Sequence, residues 1–367
     1  MKRFITVDDV ETIAIGAGIL GTGGGGNTYI GRVWLEHELR QRAARGEPAA
    51  VSIIDADDLP DDCTTLAISK MGAPTVSNEK LAQGMEMYNC VRALEDYLKR
   101  PLAGLLIGEI GGSNSIMPLI AGLQTGLPVI DGDAMGRAFP ELQMDTFSIG
   151  GVSHAPMALG DAHGNVVIFH TLDSAYRAEQ YARVLTISMG GSAALAMPVV
   201  TGVQAKRYLI RGTLTLAQRM GAAVLAARKA GDDPAEVVAA LGHGHVLFRG
   251  KITDVERKTT QGFARGRMTI VSFGGGQRLD IDFQNENLIA RLNGEVVAVV
   301  PDLITLVQLE DGEPIGTESL RYGLRVAVLA MPAPRQLKTP RALEFVGPAA
   351  FGYHDVPFTP MPGDLLA

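Results

Sequence analysis

The sequence predicts an α/β protein in two parts: an N-terminal layered α/β domain with a mainly parallel sheet, and a C-terminal β-rich domain of barrel or sandwich type. Three observations carry this reading. Up to about residue 165, short apolar runs alternate with helical periods. From Val246 onward the apolar period changes to two. At 367 residues the chain also exceeds one simple core, so domains at 1–165 and 166–367 are expected, the second β-rich from about 245 to 350.

Thr6-Val7-Asp8-Asp9 has the form of a capping box, and Val10, Ile13, Ala14 and Ala17 share one helical face behind it. That helix runs into Gly21-Thr22-Gly23-Gly24-Gly25-Gly26. Asn27 or Thr28 can then cap a second helix, with Ile30, Val33, Trp34 and His37 at helical spacing. Strands are predicted at 51–54, 66–69, 102–107 and 129–130. The run at 102–107 is continuously apolar, as suits a strand covered on both faces. Between the second and third strands a long helix is predicted over 78–99, turning Leu81, Met85, Val91, Leu94 and Leu98 inward.

Past residue 165, strands are predicted at 165–170 and 184–188, flanking a short helix. An amphipathic helix over 213–230 has Leu216, Met220, Val224 and Ala227 on one side. Gly231 stops it, and Asp233-Pro234-Ala235-Glu236 starts another. Period-two runs follow at 246–255, 268–273, 278–283, 287–292, 295–300 and 303–308. Asn293-Gly294 between two of them is a hairpin signal.

Composition narrows the function. With 46% hydrophobic and 20% charged residues, the chain has an ordinary soluble globular make-up. A formal net charge of −7 and no basic stripe argue against nucleic acid. No apolar run approaches the roughly 20 residues that span a bilayer, so no membrane partner is expected. The opening MKRFITVDDVETI lacks the apolar core of a secretory signal. Cys63 and Cys90 read as buried thiols in a reducing compartment, and a cytoplasmic location is expected.

The segment Asp131-Gly132-Asp133-Ala134-Met135-Gly136-Arg137 is the densest chemical signal. Charges beside a buried strand end must be paired, metal-bound or catalytic, because burying them bare is prohibitive. Three chemistries fit Asp131 and Asp133: ligands for a divalent cation, a general base with a like-charged neighbour, or a pair with Arg137. A structural alternative has Asp131 capping a turn and Asp133 bonded to Arg137 at i,i+4 spacing. Glu141 lies four residues further on, beyond Pro140.

Glu109 and Asn114 follow the apolar strand at 102–107, and Lys70 follows the one at 66–69. Loops beyond the carboxyl ends of strands form the crevice in layered α/β folds, so Glu109 has a path to converge with Asp131 and Asp133; the alternative is that Glu109 and Asn114 satisfy loop backbone groups, and Lys70 either holds an anionic substrate group or stands at the surface. The glycine-rich 21–26 loop suits an anion or substrate approached by backbone N–H groups, or else a tight turn pressed against other backbone. It matches neither a Walker nor a dinucleotide pattern, so no nucleotide cofactor is expected. Phe283-Gln284-Asn285-Glu286-Asn287 is a dense polar run, either a turn or a rim contact to the first domain's crevice. His243 and His245 have a spacing that zinc accepts, yet no third ligand stands near them, which disfavours ligation.

With these motifs in hand, the chain resembles the S-methyl thiohydantoin desulfurase family, associated with hydantoinase and oxoprolinase systems. The matching segments run in order along nearly the whole chain. They are GTGGGGN (21–27), MGAP (71–74) with a nearby EK, GEIGGSNS (108–115), LPVIDGDAMGRAFPELQM (127–144), LFRGKITDVER (247–257), DFQNEN (282–287), VPDLI (300–304), TESLRYGLRV (317–326) and VGPAAFGY (346–353). The resemblance implies an N-terminal α/β and a C-terminal β-rich domain. It also implies hydrolysis of the carbon–sulfur bond of an S-methylated thiohydantoin to a hydantoin and methanethiol.

For such a reaction, Asp131 and Asp133 are expected to activate water, directly or through a bound Zn²⁺ or similar divalent ion. Glu109 is expected to protonate the ring or leaving group. Arg137, Lys70, Asn27 and the amides of Gly23, Gly24, Gly25 and Gly26 are expected to hold substrate, with Asn114 orienting the ring and Glu141 behind them. A small-molecule substrate and a homo-oligomer are expected. The alternative is a non-catalytic ligand-binding or accessory subunit of a hydantoinase or oxoprolinase system.

Overall fold

The computed structural model describes residues 2–72, 76, 79, 82–260 and 263–367. Two sheets organise the chain. The first has strands β1 (Arg3–Ile5), β2 (Val51–Ile54), β3 (Thr64–Gly72), β4 (Gly104–Ile107), β5 (Val129–Asp133), β6 (Met157–Gly160), β7 (Val166–Phe169), β8 (Ser192–Thr201) and β9 (Ile210–Arg211). Their order is β1-β2-β5-β4-β3-β8-β6-β7, with β9 on β5. The centre, β2-β5-β4-β3, is the expected parallel sheet. Antiparallel strands extend both flanks.

β4 is buried throughout, and its side chains alternate between two cores as a doubly covered strand requires. Leu105 and Ile107 join the core under helices Val10–Leu20 and Met117–Thr125, while Leu106 joins a second cluster with Ala67, Ile130 and Phe147. The second sheet is antiparallel throughout: β10 (His245–Thr260), β11 (Phe263–Val271), β12 (Arg278–Gln284), β13 (Glu286–Leu292), β14 (Glu295–Val299), β15 (Leu303–Gln308) and β16 (Arg325–Met331). It is a half-barrel ordered β14-β13-β12-β11-β10-β16-β15, curved around Ile252, Met268, Ile281 and Val328.

Local chemistry agrees with the sequence at several ends. The Asp9 carboxylate accepts from Thr6 N at 2.8 Å, and Asn27 caps helix Thr28–Ala44 by accepting from Tyr29 N at 2.9 Å. Asn293 and Gly294 both take left-handed φ, 51° and 93°, and close the β13–β14 hairpin.

Three local expectations are corrected. Residues 184–188 are the end of helix Ala175–Ser188, not a strand. The apolar side chains that suggested a strand, Val184 and Ile187, point outward at 61% and 59% exposure, while Ala178 and Ala182 form the buried stripe. The long helix begins at Glu86, whose carboxylate accepts from Gln83 N and Gly84 N and so closes the chain just before it. Asn78, Lys80 and Leu81 lie outside the described residues, as do Ala73 and Pro74 of the MGAP segment. Finally, Asp131 and Asp133 belong to β5 itself, and Lys70 to β3, rather than to loops beyond those strands.

Candidate functional site

A cavity of about 100 Å³ lies where the carboxyl ends of β3 and β4 and the loop after β5 meet the β12–β13 hairpin tip. One water needs roughly 10–15 Å³ of such space and a cavity of ~150 Å³ encloses a benzene ring, so this one seats the reacting part of a small molecule. Its walls include Gly25, Gly26, Lys70, Glu109, Asn114, Met135, Phe139, Glu141, Asp145, Arg183, Met197 and Glu286.

Glu109 stands two residues past β4 and is buried. Its Oε1 accepts from Asn114 Nδ2 at 2.5 Å and its Oε2 from Phe139 N at 3.2 Å. Asn114 is fixed in turn, since its Oδ1 accepts from Lys70 N at 2.8 Å and its Nδ2 donates to Lys70 O at 3.0 Å. Burial pushes the Glu109 carboxyl up to about 7, against those two hydrogen bonds, and the charge of Asp133 adds to the rise.

Glu286 enters the same cavity from the second sheet. It opens β13 just after Asn285, which has a left-handed φ of 58°. The turn is clamped: Asn285 N donates to Ala264 O at 2.8 Å, and Asn285 Oδ1 accepts from Ala264 N at 2.9 Å. Thr317 Oγ1 donates to Asn285 O at 2.5 Å. Glu286 is 2% exposed, its carboxyl lies against Gly24, and it keeps Oε2 without a partner. Burial raises its carboxyl well above the ordinary range, and the charge of Glu109 raises it further, with Arg137 opposing. Two buried carboxyls facing one cavity retain a proton near neutrality more readily than either alone. One can donate while the other accepts.

The glycine-rich loop is shaped around Glu286. A Cβ on Gly24 would sit 1.8 Å from Glu286 Oε1, and one on Gly25 would sit 2.1 Å from Gly111 O. Gly25 and Gly26 line the cavity. Gly23 is instead engaged with the second sheet, its carbonyl accepting from Thr317 N at 2.8 Å. Asn27 is occupied as the helix cap.

Other sequence-nominated residues lie elsewhere. Asp131 is not on the cavity: Oδ1 accepts from Thr215 N at 3.1 Å in the first turn of helix Thr213–Ala230, and Oδ2 meets the Thr215 hydroxyl and Arg3 Nη2, the latter at 3.3 Å. The reason is the strand register, which points its side chain at that helix. Asp133 is fully buried and also off the cavity wall. Its Oδ2 accepts from Ile110 N, Met135 N and Gly136 N at 2.9, 2.9 and 2.8 Å, tying the Glu109 loop to the turn after β5. Burial nevertheless pushes its carboxyl up to about 7, against these bonds.

Arg137 is likewise not a substrate ligand. It is fully buried, and burial lowers its guanidinium to about 10. It donates to Asp302 O at 2.9 Å, Pro301 O at 3.3 Å, Asn287 O at 2.9 Å and Thr22 Oγ1 at 2.7 Å. It therefore joins the two sheets rather than facing a ligand. Lys70 does line the cavity, as does Glu141, whose oxygens accept from Gln143 Nε2 at 2.5 Å and Gln284 Nε2 at 3.5 Å.

The residues nominated for Zn²⁺ do not fit a metal. Asp131 is committed to Arg3 and Thr215, and Asp133 to three amides. His243 takes φ of 56° and contacts Ala367 O at 3.2 Å, while His245 pairs in β10 opposite Ala330. Among the described residues no group of three or more His, Cys, Asp or Glu side chains is arranged to hold an ion.

Sequence reasoning placed Glu109, Asn114 and Lys70 together and left Glu286 unassigned. Its signal was the polar run at 283–287, read there as a turn or a rim contact. Asp145 and His154 were also passed over: Asp145 lines the cavity, its Oδ2 is 3.3 Å from His154 Nε2, and that nitrogen is 2.7 Å from Ser148 Oγ.

Comparison with known proteins places this geometry. A family model described as S-Me-THD-like, N-terminal domain, matches residues 8–171, and one described as S-Me-THD-like, C-terminal domain, matches 173–361. No curated protein matches. The fold is similar to that of an X-ray crystal structure of a protein from Chromobacterium violaceum, with a TM-score of 0.79 at 24% identity over 98% of this chain and 100% of that one. Among the described residues no helix is long and apolar enough to cross a membrane.

Proposed function

From the premise that this chain belongs to the S-Me-THD-like family, we propose that it hydrolyses the C–S bond of an S-methyl thiohydantoin-type ring, with Glu109 and Glu286 as the acid–base pair. The observation that carries this is the meeting of two buried, proton-retaining carboxyls on one small cavity, each brought by a different sheet.

The reacting carbon lies between two ring nitrogens and bears the methylthio group. Water adds to it, forming a C–O bond. Glu109, titrating near neutrality, takes one water proton and passes it to the ring nitrogen. Glu286, which holds its proton more tightly, donates as the C–S bond breaks, so that methanethiol leaves and a ring carbonyl remains. The remaining water proton restores Glu286. Atoms balance as one water consumed and one thiol released. Apolar walls from Met135, Phe139 and Met197 keep bulk water from the carboxyls, which preserves their raised affinity for protons.

The test is thiol release by the purified protein from an S-methyl thiohydantoin, with and without chelator. Release unchanged by chelator supports this reading. Tight binding of the ring with no thiol released would replace it with the accessory-subunit reading.

A further inference from the structure

Besides Glu109 and Glu286, the cavity wall holds the carboxyls of Glu141 and Asp145, and of these two only Asp145 is buried. Two groups reach Asp145 from the protein side. Its Oδ1 accepts from Ser148 N at 2.5 Å and so caps the short helix Thr146–Ile149, while its Oδ2 lies 3.3 Å from His154 Nε2. A carboxylate has about four lone-pair sites, so these two contacts leave the others to whatever fills the cavity.

His154 fixes what that carboxylate offers. Its side chain is fully buried, and Nε2 faces two oxygens, Asp145 Oδ2 and Ser148 Oγ, the second at 2.7 Å. The carboxylate has no hydrogen to give, so Nε2 carries the hydrogen, and Nδ1, which has no partner, is the bare nitrogen. Thr146, Ser148 and His154 are all off the cavity wall. A ligand therefore meets Asp145 as an acceptor held by donors behind it, and the complementary group is an N–H.

We infer that Asp145 is a further substrate-binding residue that accepts a hydrogen bond from a ring N–H, with His154 as its positioning residue, so that the preferred substrates keep an unsubstituted ring nitrogen. This rests on the proposed function for the ring, while the match of N–H to carboxylate stands on the wall itself. The two nitrogens that flank the reacting carbon then have different partners. One has no hydrogen and receives the proton that Glu109 carries. The other keeps its hydrogen on Asp145, which fixes the orientation of the ring without a bond to the water or the sulfur.

The test compares an S-methyl thiohydantoin bearing one ring N–H with its N-methyl counterpart. The wild-type protein is expected to show a kcat/KM roughly tenfold or more higher for the N–H compound, carried mainly in KM. Asp145→Asn keeps the cap, since asparagine serves there as well as aspartate, but sets an amide donor beside the ring. In that variant the ratio of the two compounds should fall to about one. A ratio untouched by D145N, as crowding of the methyl group alone would give, overturns the inference. His154→Phe should raise KM for the N–H compound alone, and His154→Gln, whose amide supplies a donor again, should restore it; equal effects on both compounds overturn the positioning role. If neither compound releases thiol, the functional reading fails on its own, and calorimetric binding of hydantoin and its N-methyl forms still decides this one. Hydantoin bound more tightly than an N-methyl form, with the difference lost in D145N, supports it; a difference kept in D145N, or no difference, overturns it.

Discussion

Glu109 and Glu286 approach one cavity from different sheets, and the charge of Glu109 is among the causes that hold the Glu286 carboxyl protonated. Their positions are set independently. Asn114 and Phe139 N fix the first, while the clamped Asn285 turn fixes the second. Such a pair has one proton to share and two places to put it.

Removing either carboxyl should therefore stop turnover without unfolding the chain. Glu109→Gln and Glu286→Gln are each expected to lower kcat by about 10²-fold or more. With Glu109 raised to about 7, wild-type kcat/KM should climb through neutrality as the base ionises and fall at higher pH as Glu286 loses its proton. A pH–rate profile of both variants checks this; a wild-type rate flat from pH 5 to 9 would remove Glu109 as the base.

Gly24 gives an independent probe of Glu286. Alanine there suits the backbone, whose φ is not left-handed, but its Cβ would occupy the place of Glu286 Oε1. Gly24→Ala is expected to cost roughly tenfold or more in kcat through a misplaced acid, with little change in melting temperature. Unchanged kinetics would mean that Glu286 need not sit where it does.

Asp131 and Asp133 should separate cleanly. Asp131→Asn loses a part-exposed ion pair with Arg3 and is expected to keep full turnover at a stability cost of about 1 kcal/mol or less. Thiol-release rates and urea denaturation of the variant measure both. Asp133 is a pH matter. Its folded pKa, about 7, stands above the ordinary 3.8, so the stability it contributes is fully present below about pH 4 and is lost as pH rises through 7. Asp133→Asn can keep the three amide bonds through its oxygen. It should flatten the fall in stability between about pH 4 and 7, by roughly 1.4 kcal/mol for each pKa unit removed. Denaturation midpoints across that range read the slope.

Arg137 should behave as a joint between the sheets. Arg137→Ala leaves the Asp302, Asn287 and Thr22 oxygens without their donor in a buried place, with an expected loss of roughly 3–5 kcal/mol. Urea denaturation followed by far-ultraviolet circular dichroism measures it. A loss under 1 kcal/mol would show that the sheets hold together without it.

Strands, caps and hairpins were legible because they depend on neighbours in sequence. The capping box at Thr6, the Asn27 cap, the Asn293-Gly294 turn and the apolar strand at β4 are each decided within a few residues. The strand expected at 184–188 failed for the opposite reason. Val184 and Ile187 are apolar yet face outward, and only packing of Ala178 and Ala182 reveals the helix.

By itself, then, the sequence determined the two-part architecture, the family resemblance and the position of Glu109 and Asn114 beyond the end of their strand, since period and spacing fix which loop a residue occupies. Which charges face a ligand was decided only by the tertiary structure. Asp131 and Asp133 looked catalytic and Arg137 substrate-binding because charges crowd beside a buried strand, and folding commits them to Thr215, to three amides and to the junction of two sheets. Glu286 sat in a run that could be a turn or a rim contact, and the second sheet carries it across 176 intervening positions to face Glu109, because burial and like charge are properties of a place in space and not of a place in the chain.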